Sequence, residues 1–504
     1  MMAGNQKPMI ISDHFTRWAT ERPNFPVMEL DNNSVSYGQL RDLSENIAGQ
    51  LRLRGFQPGD IIGLRLDDYY KYCALMWATA LCGCVIFPMR TAAPRSEMRT
   101  AAVGIPLKAV VIDSSRLAVP GFENIAIDKL VAPLDASDQT ASWPKISPSA
   151  PFKMCQTSGS TGKPKTFVFS HSQVINISRQ YGSEMYWSQG DRLFFGHEAS
   201  DTWGSEMLIS ALYAGATIVL CSQESTADHI AYMQKRRITL CGMGPHRIRQ
   251  LLEHAGDKLN QFPYMKFLEA STSVLFPEER ELFHRHYTRN VYNTYGTTEM
   301  PFISMSRPED LDLHPDSVGQ LYPGVEVEIV DDNHKPVPVG VTGLLRARSD
   351  NMLTGYYQDP EATLKHFRDG WFYPLDHAHM NDDGYLFLQG RTDDIINLRG
   401  AKFYPAEIEK VLMMRPRIRE AVVLGWPDKT GGEIAVAVVS AFSPVRPDRI
   451  RAHCSKFLAA NKIPAYIFCV NSIPKTATGK VDVPLLKKIV KTKMGDRTTT
   501  PSLS

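Results

Sequence analysis

Apolar runs that alternate with helical stretches place the strongest constraint on the fold of this chain. Between Gly55 and about residue 300, short runs of branched and apolar residues recur, and segments of helical pattern separate them. The clearest runs are residues 61–64, 110–112, 216–221 and 239–242. Parallel strands need a crossover connection, which is usually a helix. The alternation therefore predicts an α/β fold built on largely parallel sheets.

Patterns on either side of this region predict further structure. Residues from about 13 to 55 are helical in pattern and carry one apolar stripe, formed by Leu40, Leu43, Ile47 and Leu51. Residues 319–348 change to short alternating strands with Pro and Gly turns. This change predicts a β-rich subdomain after the parallel sheets.

The pattern changes once more beyond Gly390. Residues 405–413 and 446–460 are helical in pattern, whereas residues 421–425 and 433–441 are typical of strands. A compact α+β unit of about 110 residues fits the common size of a domain. We expect a large N-terminal domain over residues 1–392 and a small C-terminal domain over residues 393–504.

Composition narrows the classes of partner. The 504 residues are 43% hydrophobic and 22% charged, as is usual for a globular protein. A net charge of +2 gives no reason to expect nucleic acid or an anionic membrane as a partner. The eight cysteines are scattered without metal-binding or redox spacing, which favours reduced thiols in the cytosol.

The sequence favours a cytoplasmic protein without a membrane span. Residues 73–89 are uncharged and approach spanning length, but Gly83 and Pro88 interrupt them. We interpret this segment as a buried helix that leads into a short buried strand. Residues 1–15 lack the long apolar core of a secretion signal, and the final Ser-Leu-Ser lacks the central lysine of a peroxisomal signal.

A loop rich in glycine, hydroxyl groups and lysine has the composition of a phosphate site. It reads TSGSTGKPK at residues 157–165. Glycines let backbone N–H groups turn inward, hydroxyls donate hydrogen bonds and lysine supplies positive charge. The spacing differs from the loop that opens a helix in kinases and GTPases, because residues 166–170 are typical of a strand. We predict a strand–loop–strand element; the alternative for the loop alone is a plain surface turn.

Four further stretches follow this loop along the chain. They are NTYGTTE at 293–299, GWFYPLDHAHMNDDGYLFLQGRTDDIINLRG at 370–400, KFYPAEIE at 402–409 and PKTATGK at 474–480. In this order and spacing, the five stretches resemble the adenylate-forming family of acyl-CoA synthetases, standalone adenylation domains and luciferases. The resemblance extends from Ser36 to Lys480 and is greatest to synthetases of the medium-chain or aryl-acid type.

The resemblance implies a reaction in two steps. A carboxylate attacks the α-phosphate of ATP to form an acyl adenylate and release pyrophosphate, and a thiol then accepts the acyl group. This chemistry needs a phosphate cradle, a nucleotide seat, a metal ligand and a cation at the reacting phosphorus. The resemblance therefore implies ATP, magnesium and CoA as cofactors and a carboxylic acid as the substrate.

The resemblance also assigns the nucleotide site residue by residue. The β- and γ-phosphates would lie in the loop formed by Thr157, Ser158, Gly159, Ser160, Thr161, Gly162 and Lys163. Tyr295 would stack on adenine, with Asn293, Gly296 and Thr297 beside it. Thr298 would contact the α-phosphate, and Glu299 would hold magnesium through its carboxylate.

The remaining catalytic assignments lie toward the C-terminus. Asp376 and Arg391 would bind the ribose hydroxyls, because a carboxylate can accept both at once. Lys480 would bridge the acyl carboxylate and the α-phosphate. Asp393 is at the hinge about which the small domain would rotate between the two steps. Rotation would withdraw Lys480 and bring in the wall of the pantetheine tunnel, formed by Arg399, Gly400, Ala401 and Lys402.

Three positions depart from the family pattern. The family usually has Thr-Gly-Asp where this chain has Pro374-Leu375-Asp376, so we expect an altered affinity for ATP. Leu344 replaces a common glutamate, which we interpret as structurally neutral. Asp482 occupies a position that is often arginine, with no consequence that the sequence indicates.

The acyl pocket is predicted from the resemblance and from local composition. Its candidate residues are His197, Asp201, Trp203, Gly242, Met243, Gly244, Pro245 and Met300. The segment Ser200-Asp201-Thr202-Trp203 resembles the Ser-Asp-Thr-Gly-Trp of medium-chain and aryl-acid ligases, which makes an amine site at Asp201 the weaker interpretation. Gly242 and Gly244 would leave volume, which favours a medium-chain or aromatic acid over acetate. His197 either binds a polar substituent or is structural.

Three functions stay open at this point. An acyl-CoA ligase leads, and a standalone enzyme that loads a carrier protein uses the same chemistry with a different phosphopantetheine thiol. A protein that only binds a nucleotide or acyl group is disfavoured, because Glu299, Asp376, Arg391 and Lys480 are all present. A conventional ATPase would release orthophosphate rather than pyrophosphate.

Overall fold

The computed structural model describes residues 9–134, 142–157, 165–398, 401–415, 417–428, 432–476 and 480–498. The helices are α1 (Ile11–Glu21), α2 (Tyr37–Leu53), α3 (Tyr69–Cys82), α4 (Arg95–Ala101), α5 (His171–Ser183), α6 (Thr202–Ala214), α7 (Thr226–Lys235), α8 (Pro245–Glu253), α9 (Pro277–His286), α10 (Asp310–Leu313), α11 (Pro360–His366), α12 (Pro405–Met413), α13 (Pro447–Cys454) and α14 (Val483–Thr498).

The strands form the sheets described below. They are β1 (Pro26–Leu30), β2 (Asn33–Ser36), β3 (Ile61–Arg65), β4 (Val85–Pro88), β5 (Leu107–Ile112), β6 (Asn124–Ala126), β7 (Pro151–Thr157), β8 (Lys165–Ser170), β9 (Arg192–Phe194), β10 (Thr217–Leu220), β11 (Leu240–Met243), β12 (Phe267–Ala270), β13 (Val291–Thr297), β14 (Met300–Ser306), β15 (Gln320–Leu321), β16 (Glu326–Val330), β17 (Gly343–Arg348), β18 (Phe367–Arg368), β19 (Trp371–Phe372), β20 (Asp376–Met380), β21 (Leu386–Arg391), β22 (Ile396–Leu398), β23 (Ala401–Phe403), β24 (Ile418–Pro427), β25 (Glu433–Ala441) and β26 (Tyr466–Val470).

Two sheets with parallel centres carry most of the chain. Within the described residues, one runs β15-β14-β13-β12-β11-β9-β10-β1-β2 and the other runs β6-β5-β3-β4-β7-β8. Pairing is parallel from β13 to β1 in the first sheet and from β6 to β7 in the second, with antiparallel strands at their edges. The predicted α/β class and the strands at residues 61–64, 110–112, 216–221 and 239–242 are confirmed.

The uncharged segment at 73–89 folds as the sequence predicts. The Asp68 carboxylate accepts hydrogen bonds from the N–H groups of Tyr70 and Lys71 and begins α3. Gly83 ends the helix at φ +71°, in the left-handed region that glycine adopts readily. The buried strand β4 follows at once. None of the helices that the structure describes is long and apolar enough to cross a bilayer.

Two predicted helical segments differ from the structure. The pattern over residues 13–55 is interrupted by β1 and β2, because β1 pairs in parallel with β10, nearly 190 residues away, which no local pattern indicates. The helix expected at 446–460 is shorter, since α13 ends at Cys454 and turns follow.

The β-rich subdomain extends beyond the predicted residues. Strands β16 to β21 form an antiparallel sheet that reaches Arg391. The C-terminal segment then forms the hairpin β22–β23 and the sheet β24-β25-β26 with α12, α13 and α14. Its hydrophobic clusters contain only residues from Ile396 onward, whereas the remaining clusters end before that residue. The C-terminal segment therefore has a core of its own.

Candidate active site

Strands β7 and β8 frame the glycine-rich loop. Thr157 and Lys165 are register partners in an antiparallel pair, so the predicted strand–loop–strand element is confirmed. The predicted cradle residues between them, Ser158, Gly159, Ser160, Thr161, Gly162 and Lys163, lie outside the described residues. Their role stays a prediction.

Lys165 continues this element into a polar network. Its Nζ donates to Nε2 of His366 at 2.9 Å and lies 4.8 Å from the centre of the Tyr356 ring. Nδ1 of His366 lies 3.0 Å from the Tyr373 carbonyl oxygen. A carbonyl only accepts, so Nδ1 carries the proton and Nε2 is free to accept from Lys165.

The segment NTYGTTE forms a hairpin at the carboxyl end of a parallel strand. Thr297 pairs with Met300, so Thr298 and Glu299 make the turn between β13 and β14. A Cβ atom at Gly296 would lie 1.9 Å from the carbonyl oxygen of Pro301, so only glycine fits. Asn293, Tyr295, Thr298 and Glu299 are half-buried, as residues lining a cleft would be.

The carboxylate of Glu299 is held by a tyrosine that the sequence interpretation missed. The Tyr356 hydroxyl donates to Oε1 of Glu299 at 2.7 Å. Burial and the Glu299 charge raise the pKa of Tyr356, so this hydroxyl keeps its proton. No group of three or more metal-ligating side chains occurs among the described residues. A single carboxylate still suits magnesium, which takes its other ligands from substrate phosphates and water.

Asp376 lies between the predicted adenine and ribose contacts. The Tyr295 hydroxyl donates to Oδ2 of Asp376 at 2.6 Å, and Asp376 is the register partner of Arg391 across β20 and β21. Burial raises the pKa of Asp376, whereas the Tyr295 hydrogen bond and the Arg391 charge oppose this shift. The three predicted contacts are thus neighbours, although they are far apart in sequence.

Leu375 has a left-handed backbone where the family usually has glycine. Its φ is +66°, a region that costs most residues about 1–2 kcal/mol. Its carbonyl accepts hydrogen bonds from the backbone N–H and the hydroxyl of Thr392, at 2.8 Å and 3.0 Å. These two bonds hold the turn, so Asp376 keeps its place without the glycine.

Lys480 reaches the same cleft from the C-terminal segment. Asp201, Glu299 and Arg391 all act on its charge. Loss of hydration and the Arg391 charge lower the pKa of Lys480, while the two carboxylates raise it. Residues that the sequence separates by hundreds of positions therefore converge at one place.

Ion pairs join the C-terminal segment to the larger unit. Arg419 Nε lies 3.0 Å from Glu253 Oε1, and Lys410 Nζ lies 2.7 Å from Asp316 Oδ2. Arg249 and Glu420 approach to 3.9 Å. The first two pairs are partly exposed, and pairs of that kind contribute roughly 0–1 kcal/mol each and are screened by salt. These two ion pairs therefore hold the C-terminal segment only weakly.

Of the predicted hinge and tunnel residues, Asp393, Ala401 and Lys402 are exposed. Asp393 lies in a 3₁₀ turn, Thr392–Asp394, which connects β21 to β22. Ala401 and Lys402 lie on β23, whereas Arg399 and Gly400 lie outside the described residues. The hinge and the tunnel stay predictions.

The predicted acyl residues lie around the carboxyl end of β11. His197 Nε2–H donates to the Gly242 carbonyl at 3.0 Å, and the ring centres of His197 and Trp203 are 4.5 Å apart. Burial lowers the pKa of His197 to about 4, so the ring is neutral near pH 7. Met243, Gly244, Pro245 and Met300 are buried.

The predicted open volume beside Gly242 is wrong. A Cβ atom there would lie 2.8 Å from Cζ2 of Trp203 and 2.7 Å from Cε of Met207. Both side chains come from α6, which packs over the strand, so the missing Cβ lets them approach the backbone. Beside Gly244, a Cβ would meet Nδ1 of His246 at 3.0 Å. The glycines serve close packing rather than an open cavity.

Asp201 lies immediately before α6. Burial, together with the nearby Glu198, raises the pKa of Asp201 to about 6, while Arg90 and Lys480 oppose the shift. The charge of Lys480 therefore acts on Asp201, which lies close to the predicted acyl residue Trp203 in the sequence.

Sequence interpretation also missed Glu269, a buried acid on β12 beside Trp203. Its signal was visible, because an acid is unusual in a short apolar strand run such as Phe267–Ala270. Tyr356 and His366 gave no comparable signal, since their contacts are made by distant segments.

Comparisons with known proteins agree with this geometry. The model of AMP-binding enzymes matches residues 15–357, and that of the AMP-binding enzyme C-terminal domain matches residues 407–480. The chain is 26% identical to an indoleacetate–CoA ligase of Aromatoleum aromaticum, over 94% of this chain and 96% of the relative. It is also 26% identical to the fatty acid–[acyl-carrier-protein] ligase ScoC of Streptomyces coeruleorubidus, over 92% and 93%.

The fold agrees as well. The crystal structure of ATP-bound MatB from Rhodopseudomonas palustris superimposes with a TM-score of 0.86 at 23% identity, covering 96% of this chain and 99% of that chain. Because the family model spans more than half of the chain, and its C-terminal partner matches the segment that carries Lys480, the chain belongs to the adenylate-forming family of AMP-binding enzymes.

Proposed function

We propose that this protein is an AMP-forming acid–thiol ligase that activates a carboxylic acid with ATP and transfers the acyl group to CoA. One observation carries the proposal: Lys480, from the C-terminal segment, lies within electrostatic reach of Glu299, Arg391 and Asp201. The domain boundary at residues 392 and 393 is part of the same proposal.

The nucleotide would be seated by the hairpin and by the antiparallel sheet beside it. Tyr295 offers its ring to adenine, and Asp376 has a second carboxylate oxygen free of the Tyr295 bond for the ribose hydroxyls. Arg391 adds a donor at the same edge. Glu299 would hold magnesium, which would neutralise phosphate charge when bound.

In the first step, an oxygen of the substrate carboxylate attacks the α-phosphorus of ATP. The bond between the α-phosphorus and the bridging oxygen breaks, and pyrophosphate leaves with that oxygen. Lys480 would stabilise the negative charge that gathers on the α-phosphate and the acyl oxygens. Thr298, at the tip of the hairpin, would donate to the α-phosphate.

In the second step, the thiol sulfur attacks the acyl carbon, the thiol proton is lost, and AMP leaves with its phosphate oxygen. Rotation about Asp393 would withdraw Lys480 and bring the tunnel residues to the cleft. The two partly exposed ion pairs between the units support such a movement, because little energy opposes their exchange.

For the acid, we propose an aromatic or medium-chain substrate. Trp203 and His197 supply two aromatic surfaces near β11, tilted by 53° to each other, and one relative is named as a ligase of indoleacetate. The other acceptor, a carrier protein, is the substrate named for ScoC and is therefore included in the test.

The test is a pyrophosphate-release screen over a panel of aromatic and straight-chain acids, with CoA, with a phosphopantetheinylated carrier protein, or with neither. We expect acid-dependent pyrophosphate release and a thioester that forms only with CoA. If the thioester forms only on the carrier protein, the acceptor is that protein and not CoA. Orthophosphate release, or no acid dependence, would overturn the proposal.

A further inference from the structure

A buried acid lies behind the wall of the proposed acyl site. Glu269 lies on β12, between the parallel neighbours β11 and β13, and only 3% of its surface is exposed. Such strands are usually continuous apolar runs, because both faces of a parallel sheet are covered. No ion pair to Glu269 occurs within the part of the chain that the structure describes, and the nearest charged influence on it is a second acid, Glu206.

Three donors from three different elements converge on this carboxyl group. The Thr294 hydroxyl of β13 donates to Oε1 at 2.9 Å. The Trp203 indole N–H of α6 donates to Oε2 at 3.1 Å, and the Tyr181 hydroxyl of α5 donates to Oε2 at 3.4 Å. Burying an acid without a cation is costly, and an apolar residue of similar volume would avoid that cost. The acid therefore needs a reason other than packing.

The best candidate for that reason is the position of Trp203. Its N–H is held by Glu269, its ring lies 4.5 Å from the ring of His197, and Gly242 leaves no Cβ to displace it. An indole held at its nitrogen and on two sides has one orientation available. A ring fixed in this way presents a flat and rigid surface.

We propose that Glu269 is a specificity-determining positioning residue, which fixes the Trp203 indole as a rigid wall of the acyl site and thereby favours flat aromatic acids over flexible chains. This inference rests on the proposed function. The inference adds to the proposed function a positioning residue, Glu269, that does not contact the acid. It also names flat aromatic acids as the preferred substrate class.

The experiment compares Glu269→Leu, which keeps the volume and removes the acceptor, with Trp203→Phe, which keeps a ring and removes the N–H. Phenylacetate and octanoate serve as the two probe acids, and kcat/KM is measured for each by pyrophosphate release. We expect both variants to lower the ratio of phenylacetate to octanoate by about tenfold, the cost of one buried hydrogen bond. The KM for ATP should stay within about twofold, because the Thr294 side chain that meets Glu269 lies on the opposite face of β13 from Asn293 and Tyr295.

Two further variants separate positioning from general damage. Thr294→Val removes the donor to the other carboxyl oxygen, Oε1, and keeps a branched side chain, so it should leave the ratio unchanged. Glu269→Gln keeps an acceptor for the indole and should restore most of the ratio that Glu269→Leu loses. It also covers the case in which the leucine variant does not fold.

Each outcome supports or overturns the inference. If the ratio of phenylacetate to octanoate is unchanged in Trp203→Phe and in a folded Glu269→Leu, the inference is overturned and the ligase function stays intact. An equal loss of kcat/KM for both acids and for ATP has the same meaning. A loss in Thr294→Val as large as in Glu269→Leu assigns the acid a purely structural role. A wild-type protein that releases no pyrophosphate with any acid overturns the proposed function and this inference with it.

Discussion

The Tyr295 hydroxyl donates a 2.6 Å hydrogen bond to Oδ2 of Asp376, which joins the parallel-sheet hairpin to the antiparallel sheet. The first residue is the expected adenine contact and the second is the expected ribose contact. A shift of one would therefore move the other, so the two halves of a nucleoside would be bound as one unit.

Replacement of Asp376 by alanine tests this unit. We expect the KM for ATP to rise at least about tenfold, because two ribose hydroxyls and the Tyr295 hydroxyl lose a charged acceptor. The KM for the acid should change little. Steady-state kinetics with each substrate varied in turn gives both values, with Asp382→Ala as the exposed control on the connection between β20 and β21. Equal losses for both substrates would instead indicate damage to the fold.

The left-handed backbone at Leu375 should determine the relative stability of variants at this position. At φ +66°, glycine is strained less than alanine, so Leu375→Gly should melt above Leu375→Ala, by the equivalent of about 1 kcal/mol. Both variants lose the same packing of the leucine side chain, so the pair isolates the backbone. At an ordinary position the order is reversed, because glycine adds freedom to the unfolded chain. Calorimetry measures the melting temperatures of both variants. A higher melting temperature for Leu375→Ala would contradict the left-handed backbone at residue 375.

Glu269 should make stability depend on pH. Burial raises its pKa from 4.5 to about 7, so the folded protein holds this proton after the unfolded chain has released it. The contribution is complete below about pH 4.5, and the free energy of unfolding falls as pH rises through the interval up to about pH 7. Glu269→Gln cannot titrate. The melting temperature should therefore fall more between pH 5 and pH 8 in the wild type than in this variant, and parallel curves would refute the shift.

Replacement of Lys480 by alanine should separate the two half-reactions. Pyrophosphate release from acid and ATP should slow by about a hundredfold or more, because one preorganised charge contact is lost. Reaction of a synthetic acyl adenylate with CoA should stay near the wild-type rate, since the lysine would be withdrawn in that step. Lys491→Ala, on the exposed face of α14, is the matched control. Equal slowing of both reactions would remove Lys480 from the adenylation step.

Replacement of Asp393 by proline should have the opposite effect to replacement of Lys480, because the second half-reaction should fail while the first proceeds. Proline suits the φ of a 3₁₀ turn but prevents rotation about it, so Asp393→Pro should fold and should form the adenylate at a normal rate. Thioester formation should fail. Pyrophosphate and thioester are measured on the same sample, and a normal thioester rate would locate the hinge elsewhere.

The local sequence pattern was sufficient to predict several strands and the helix α3. The alternation after Gly55 indicated β3, β5, β10 and β11, and the residues after the glycine-rich loop indicated the strand that pairs Lys165 with Thr157. Caps such as Asp68 and Gly83 fixed the ends of α3. In these places, backbone preference and apolar periodicity agree with the tertiary structure.

Contacts between distant segments could not be predicted from local sequence patterns. Strand β1 forms against β10, and Trp203 fills the space beside Gly242, so neither the strand nor the filled volume was predicted. The bond from Tyr356 to Glu299 joins residues 57 positions apart. Glycine in a sequence indicates missing atoms, but only the packing decides whether a neighbour occupies that space.

The separate cores on either side of Ile396 have an evolutionary consequence. Acid selection would depend on β11, β12 and α6, whereas delivery of the lysine would depend on β24, β25 and α14. Among the residues that the structure describes, the two sets share no hydrophobic cluster. Substitutions that alter one set leave the packing of the other unchanged. Lineages could therefore acquire new substrates without losing turnover, and could change turnover without losing their substrates.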